Sequence, residues 1–188
     1  MRRKLCLMLL ASLICFNTKA QSKAIKFHSI NSIGLIVGEH GSAMMLQSVN
    51  GVAYKMFYSG IGFGVDYYKY NSYPLFFDQR VFLDKSRDVF FYGDIGYNFN
   101  CRNNKPGNEV YYSKYHFTGG VYTDIGIGCR IKLKNKSFIT FSSGFSYKEM
   151  NGKVSDVSPC SSMGACSVDY SNYKYGNGRV VLKAGIDF

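Results

Sequence analysis

Residues His116–Lys134, HFTGGVYTDIGIGCRIKLK, decide the fold, because their side chains alternate in character with a period of two. Successive side chains of a β-strand point to opposite faces of the sheet, so this alternation predicts a strand. One face is mainly apolar: Phe117, Gly119, Val121, Thr123, Ile125, Ile127, Cys129, Ile131 and Leu133. The other combines glycine with polar groups: His116, Thr118, Gly120, Tyr122, Asp124, Gly126, Gly128, Arg130, Lys132 and Lys134. The alternation predicts one long strand without a break in register.

The same pattern recurs along the chain, most clearly in Met56–Tyr68 and Val89–Phe99, and no long helical periodicity follows the N-terminal region. Eight segments are predicted as strands: residues 29–39, 42–50, 55–70, 74–84, 89–99, 116–134, 137–149 and 175–188. The first two are the weakest, since Ala43–Val49 alternates poorly. Without an internal repeat or a linker, residues 21–188 form a single predicted domain.

The connections between these segments alternate between short and long. Asn50-Gly51, Lys85–Asp88 and Asn135-Lys136 have turn-type composition, whereas Asn71-Ser72 and residues 100–115 and 150–174 connect the strands on the other side. Short turns on one side and longer loops on the other are typical of an up-and-down barrel whose two termini lie on the short-turn side.

The N-terminus has the composition of a secretory signal peptide. Basic Met1–Lys4 precedes the apolar run Leu5–Phe16, and the small residue Ala20 follows. The apolar run is too short for a membrane helix, which needs about 20 residues. We therefore expect cleavage after residue 20. Lipidation at Cys15 is the less favoured alternative, because Ile14 before it is not small.

Charge and glycine content indicate which partners to expect. Residues 1–20 contain four of the 23 basic residues and none of the 12 acidic ones, so the remaining chain has a net charge of +7. In an exported protein this excess favours an anionic lipid surface over nucleic acid. The glycine-rich stretches lie in strands without the ending of a phosphate loop, and no cofactor is predicted.

The composition of the two faces indicates which one is outside. A soluble β-sandwich or lipocalin-like barrel would turn its apolar face inward. Here the polar face is dominated by glycine with isolated opposite charges, which suits the narrow interior of an eight-stranded barrel. The expected interior charge network comprises Asp66, Asp78, Arg80, Asp94, Asp124, Arg130, Lys132 and Arg179. The apolar face would then contact lipid, and the 16 Tyr and 15 Phe residues would supply interfacial girdles.

The C-terminal strand carries a family resemblance. Leu182, Ala184 and Ile186 alternate before the terminal Phe188, and Gly60–Tyr68 and Tyr92–Gly96 are glycine-aromatic strands. In these features the chain resembles the small outer-membrane β-barrel proteins of Gram-negative bacteria. The resemblance implies an eight-stranded antiparallel transmembrane barrel in the outer membrane, in contact with lipid and lipopolysaccharide. It also implies that the barrel-assembly machinery recognises Phe188.

Four cysteines remain after residue 20. Cys160 and Cys166 lie close together in a long loop of a protein expected in an oxidising compartment, which favours a disulfide over a metal site. Cys129, on the lipid face, and Cys101, at the opposite end, are too far apart to pair.

Three functional hypotheses follow. The favoured one is a non-enzymatic barrel with a structural role or a surface-interaction role through loops 100–115 and 150–174. The second is a lipid-modifying enzyme similar to barrel-type lipid A deacylases, using His40 and Ser42 with Glu39 and His116 nearby. The third is a narrow solute pore lined by the interior charges, whose alternative is a salt-bridge plug. The extracellular ligand is not identified.

Overall fold

The computed structural model describes residues 25–100, 113–133, 137–157 and 168–188, which form antiparallel β-strands and their links. The strands are β1 (Ile25–Gly38), β2 (Gly41–Tyr54), β3 (Phe57–Asp66), β4 (Ser72–Phe82), β5 (Val89–Asn100), β6 (Ser113–Thr118), β7 (Gly120–Lys132), β8 (Phe138–Val157) and β9 (Val168–Asp187). No helix in these ranges is long and apolar enough to cross a membrane. The predicted signal peptide, residues 1–20, lies outside the described residues.

The sheet closes on itself. β1 to β5 pair in chain order, β5 pairs with β7, β7 with β8, β8 with β9, and β9 with β1. The short strand β6 pairs with β8 and continues the line of β7 along its edge. The closed wall therefore has eight strands, as the sequence predicted. At one end, called the turn end, lie both described termini and the links after β2, β4 and β7. At the other, called the loop end, lie the links after β1 and β3, the last residues of β5 and β8, and the first residues of β9.

The stretch His116–Lys134 is not one regular strand. Thr118 pairs with Asn151, whereas the register of β7 places Gly120 opposite Met150, so Gly119 is an extra residue between them. A Cβ atom at residue 119 would lie within 1.8 Å of the Asn98 carbonyl oxygen. A glycine bulge thus divides the predicted strand where the backbone of β5 approaches most closely, and the expectation of unbroken register was wrong.

The register of the strands fixes the stagger of the barrel. Following paired residues around the wall leads through His28, Gly51, Gly60, Asp78, Asp94, Asp124, Ser146, Arg179 and Gly38. The circuit returns to β1 ten residues further on, from 28 to 38. Such a stagger requires strongly tilted strands, at about 35–45° to the axis in barrels generally, and a narrow interior.

The apolar face lies outside, as predicted. Phe63, Ile95 and Ile127 are 51%, 62% and 46% exposed, whereas Asp94 and Arg130 are 4% and 7% exposed. Large exposed apolar side chains occur on every strand of the closed wall and form an apolar belt. An apolar exterior around a charged interior is the reverse of a water-soluble barrel and the arrangement of a membrane-spanning one.

One predicted turn is wrong. Asn50-Gly51 lies within β2, and the chain reverses instead at Lys55-Met56, where Lys55 has a φ of 52°. A Cβ atom at residue 51 would lie within 2.2 Å of the Ser59 carbonyl oxygen. Gly51 therefore permits the close approach of β3. From the sequence alone, a glycine needed for such an approach looks the same as a glycine that reverses the chain.

The predicted long loops are shorter than expected. Residues 113–115 of the first belong to β6, and residues 150–157 and 168–174 of the second belong to β8 and β9. Val157 and Val168 form the last pair of that hairpin. Residues 101–112 and 158–167, with Cys101, Cys160 and Cys166, lie outside the described residues, so the predicted disulfide remains a prediction.

Candidate functional site

The most unusual feature of the interior is a row of three aspartates on neighbouring strands. Asp78 on β4 is paired with Asp94 on β5, and Asp94 is paired with Asp124 on β7. All three are buried. Like charges directly opposite one another destabilise a sheet, so this row requires nearby cations.

Lys183 on β9 reaches across the interior to this row. Its Nζ lies 2.7 Å from Asp124 Oδ2 and 3.5 Å from Asp94 Oδ2, and it also donates to Gln47 Oε1 at 3.1 Å. The same amine lies 4.4 Å from the centre of the Tyr92 ring. One lysine thus connects β9 with β2, β5 and β7.

Arg80 neutralises Asp78, which lies on the same strand, β4. Its Nε and Nη2 donate to the two oxygens of Asp78 at 3.0 and 2.9 Å, and its guanidinium lies against the rings of Tyr58 and Phe90. A forked, ring-stacked contact of this kind is specific to arginine.

A second cluster lies nearer the loop end around Asp66. This buried carboxylate accepts a hydrogen bond from Arg179 Nη1 and lies 3.3 Å from Lys148 Nζ. Lys148 also donates to the Tyr68 carbonyl at 2.9 Å and to Ser72 Oγ at 3.1 Å. The link between β3 and β4 is thereby fixed across the mouth of the barrel by a lysine from β8.

A third cluster lies at the turn end. Asp187 accepts a hydrogen bond from Arg130 Nη1 at 3.3 Å and lies 2.7 Å from His28 Nδ1. The Arg130 guanidinium lies 4.4 and 4.2 Å from the centres of the Phe82 and Phe138 rings.

Between these clusters, side chains from opposite walls meet. Gln47 on β2 donates to the Tyr122 hydroxyl on β7 at 2.9 Å, and Tyr122 is completely buried. An apolar cluster surrounds this contact: Ile30, Val49, Ala53, Tyr58, Phe76, Phe82, Phe90, Tyr92 and Tyr122. Side chains therefore fill the middle of the interior.

Seven of the eight predicted network residues lie within the barrel, and Lys132 does not. Lys132 is exposed because it is the last residue of β7, beyond the part of the wall that β5 covers. Sequence reasoning missed Lys148, Lys183, His28 and Asp187. The alternation of β9 carried the signal for two of them, since Lys183 and Asp187 lie on the face opposite Leu182 and Ile186.

In the part of the chain that the structure describes, no hydrogen bond joins His40 to Ser42. His40 and Ser42 are both exposed at the loop end. The His40 ring nitrogen Nε2 lies 2.8 Å from Lys69 Nζ, and its backbone N–H donates to the Tyr68 hydroxyl at 2.8 Å. The hydrogen-bond partner of the imidazole is thus an amine, whereas a Ser-His-acid triad has a hydroxyl on one side of the ring and a carboxylate on the other.

Three other observations concern predicted sites. Cys129 is a free thiol exposed on the outer wall. The backbone of Phe188 exchanges two hydrogen bonds with Ser29, at 2.8 and 3.1 Å, and so completes the seam between β9 and β1. Among the described residues, no group of three or more His, Cys, Asp or Glu side chains could hold a metal ion.

No family model and no curated protein matches the chain. One similar structure is the solid-state NMR structure of outer membrane protein AlkL in DMPC lipid bilayers, with a TM-score of 0.48 and 11% identity over 92% of this chain and 94% of that one. Another is the translocator domain of autotransporter NalP from Neisseria meningitidis, with a TM-score of 0.30 and 11% identity over 100% and 95% of the two chains. From its own closed register, apolar outer wall and charged interior, the chain is an eight-stranded transmembrane β-barrel with the architecture of outer-membrane proteins.

Proposed function

We propose that the protein is a non-enzymatic component of the bacterial outer membrane that presents its loop end to the exterior. On this proposal the signal peptide directs export, the two termini face the periplasm, and the loop end serves a structural or surface-interaction role. The observation that carries the proposal is a three-stranded extension of the barrel wall at the loop end.

The extension follows from unequal strand lengths. β9 pairs with β8 along residues 168–187 but with β1 only from Arg179 to Asp187. β8 pairs with β7 up to Lys148 and then with β6 over residues 151–156. β6 and the loop-end segments of β8 and β9 therefore continue beyond the closed wall.

The exposed side chains of this extension differ from those of the apolar belt. Tyr173 and Tyr175 are 48% and 39% exposed, and their rings stack with centres 6.4 Å apart. The side chain of Lys174 is 67% exposed and its amine lies 3.0 Å from Glu149. Exposed aromatic rings beside a lysine suit contacts with polar, partly anionic surface molecules such as lipopolysaccharide.

The filled interior supports a plug over a pore. The contacts of Lys183, Lys148 and Gln47 join walls on opposite sides of the barrel at more than one level. The His40–Lys69 contact likewise favours a structural role for the first loop over ester hydrolysis.

Surface display is tested by inserting a protease site into residues 158–167 and, as the matched control, between Lys55 and Met56. Protease added to intact cells should cut the first insertion and leave the second uncut until the outer membrane is permeabilised. Cleavage of the Lys55 insertion alone in intact cells would reverse the orientation, and cleavage of neither would contradict display of the loop end.

The enzyme hypothesis is tested separately. Lipid A acylation should be the same in cells that produce the native protein, the His40→Ala variant or neither protein. A change in acyl-chain number that depends on His40 would replace the proposed function with a lipid-modifying one.

A further inference from the structure

The apolar belt of the outer wall is interrupted on one side. Six polar residues of β1–β4 face outward there, and they form what we call the amide patch: Ser29, Asn31, Ser48, Asn50, Ser59 and Gln79. The register pairs Ser29 with Asn50, Asn31 with Ser48, and Ser59 with Gln79. Across the β2–β3 seam Asn50 lies opposite Ile61 and Ser59 opposite Val52, so Ser59 and Gln79 adjoin the other four residues diagonally.

The amide patch lies within the belt and not at its edge. On β1, Asn31 lies between outward-facing Phe27 and Ile33, which are 67% and 46% exposed. On β2, Asn50 lies between Leu46 and Val52, both 46% exposed. The same holds on the next two strands, where Ser59 lies between Phe57 and Ile61, and Gln79 between Phe77 and Val81.

Among the described residues of β7 and β8, the outward-facing polar residues Thr123 and Ser143 are isolated, since each lies between apolar side chains of its own strand. The row of paired residues that contains Ser59 and Gln79 continues through Gly93, Ile125, Phe145 and Val180. The polar groups therefore mark one sector of the barrel.

Two of these amides lack a partner. Ser59 Oγ donates to Gln79 Oε1 at 2.6 Å, but no hydrogen bond reaches the Asn31 or Asn50 side chain from any residue that the structure describes. Both asparagines are exposed. In hydrocarbon an unpaired amide is costly, because no water is available to replace the missing hydrogen bonds.

We propose that the amide patch is the contact surface for a second copy of this chain in the membrane. An asparagine side chain carries both a donor and an acceptor, so two copies related by a two-fold axis can satisfy each other's amides. Two-fold contacts use the same surface on both partners, which matches the presence of a single patch on each barrel.

The small side chains of the amide patch would also allow the walls of two barrels to come close together. Ser29, Ser48 and Ser59 are small, and small residues let membrane-embedded backbones come together. A groove of about 650 Å³ begins at the edge of the patch, where Asn31 and Ser48 lie between the bulkier side chains of Phe63 and Ile186. Phe27, exposed beside the patch, is a side chain of the size that such a groove can accept from the other copy.

The test is the oligomeric state of the full chain in lipid vesicles, measured by single-molecule photobleaching while the protein-to-lipid ratio is varied. The native chain should reach a dimer, and the Asn31→Leu/Asn50→Leu variant should need about tenfold more protein per lipid to do so. The matched control, Ile95→Leu/Ile125→Leu on the wall away from the patch, should dimerise as the native chain does.

Folding and specificity are checked with two further measurements. Each variant should keep the heat-dependent gel shift of a folded barrel, and Asn31→Gln/Asn50→Gln, which retains both amides, should restore dimerisation. A native chain that remains monomeric at every ratio, a dimer that survives both leucine substitutions, or an assembly larger than two would overturn the proposal. None of these outcomes affects the display of the loop end.

Discussion

At the scale of single residues, the interior is organised by where each charge finds a partner. The aspartate row on β4, β5 and β7 is tolerable because Arg80 and Lys183 approach it from two sides. Burying one of these aspartates without its cationic partner leaves an uncompensated charge, which is more costly than losing the contact itself. Stability is therefore expected to depend on the lysines that sequence reasoning missed as much as on the arginines that it identified.

Replacing Lys183 with methionine should lower the free energy of unfolding by about 3–5 kcal/mol, because Asp94 and Asp124 lose their shared cation. Urea unfolding of the barrel in detergent micelles measures the change. Lys132→Met is the matched control, and since Lys132 is exposed its effect should stay within about 0.5 kcal/mol. Equal urea midpoints for both variants would show that the Lys183 contacts do not support the fold.

Outside the belt, the link between β4 and β5 depends on the ionised form of Asp84. The Ser86 hydroxyl and the Arg87 N–H both donate to this carboxylate at 2.6 Å, and the Ser86 bond is the main reason that its pKa lies below the ordinary value. A lowered pKa in the folded state means that ionised Asp84 favours the turn above the unfolded-state pKa. This contribution disappears as the pH falls through the folded-state pKa.

A titration of the Asp84 carboxyl carbon by NMR should give a pKa below that of an unstructured aspartate, and the Ser86→Ala variant should move it upward. An unchanged pKa in the variant would show that the hydroxyl is not the cause.

At the scale of strands, alternation in the sequence was informative because this barrel meets lipid on one side and a packed interior on the other. The period of two therefore located eight segments. Alternation alone did not reveal the Gly119 bulge or the continuation of β2 through Asn50-Gly51, because both depend on the approach of a neighbouring strand. Similarly, Lys148 and Lys183 have no local signal of their partners, which lie on distant strands.

Two glycines on β5 test this dependence on neighbours. A Cβ atom at Gly96 would lie 2.1 Å from the Leu75 carbonyl oxygen, whereas one at Gly93 would meet no atom within 4 Å. Gly96→Ala should therefore destabilise the barrel by about 1–3 kcal/mol, and Gly93→Ala should be nearly neutral. Unfolding in urea distinguishes them, and equal stability of the two variants would show that β4 and β5 can separate without cost.

At the scale of the whole molecule, the barrel combines an interior filled with side chains and an apolar exterior. Because side chains close the interior at several levels, the native chain should add no discrete conductance steps to a planar lipid bilayer. Reproducible ion-conducting steps from the purified chain would contradict the plug and restore the pore hypothesis.

The central claim is that the apolar side chains face acyl chains while the charges face the barrel axis. The most direct measurement is magnetisation transfer from lipid acyl protons and from water to isoleucine methyl groups of the protein in bilayers. Ile61, Ile95 and Ile125, each more than 60% exposed on the outer wall, should receive magnetisation from lipid and not from water. Buried Ile30 and Ile36 should receive little from lipid. Strong transfer from water to the first three methyl groups, with none from lipid, would contradict the membrane-spanning barrel.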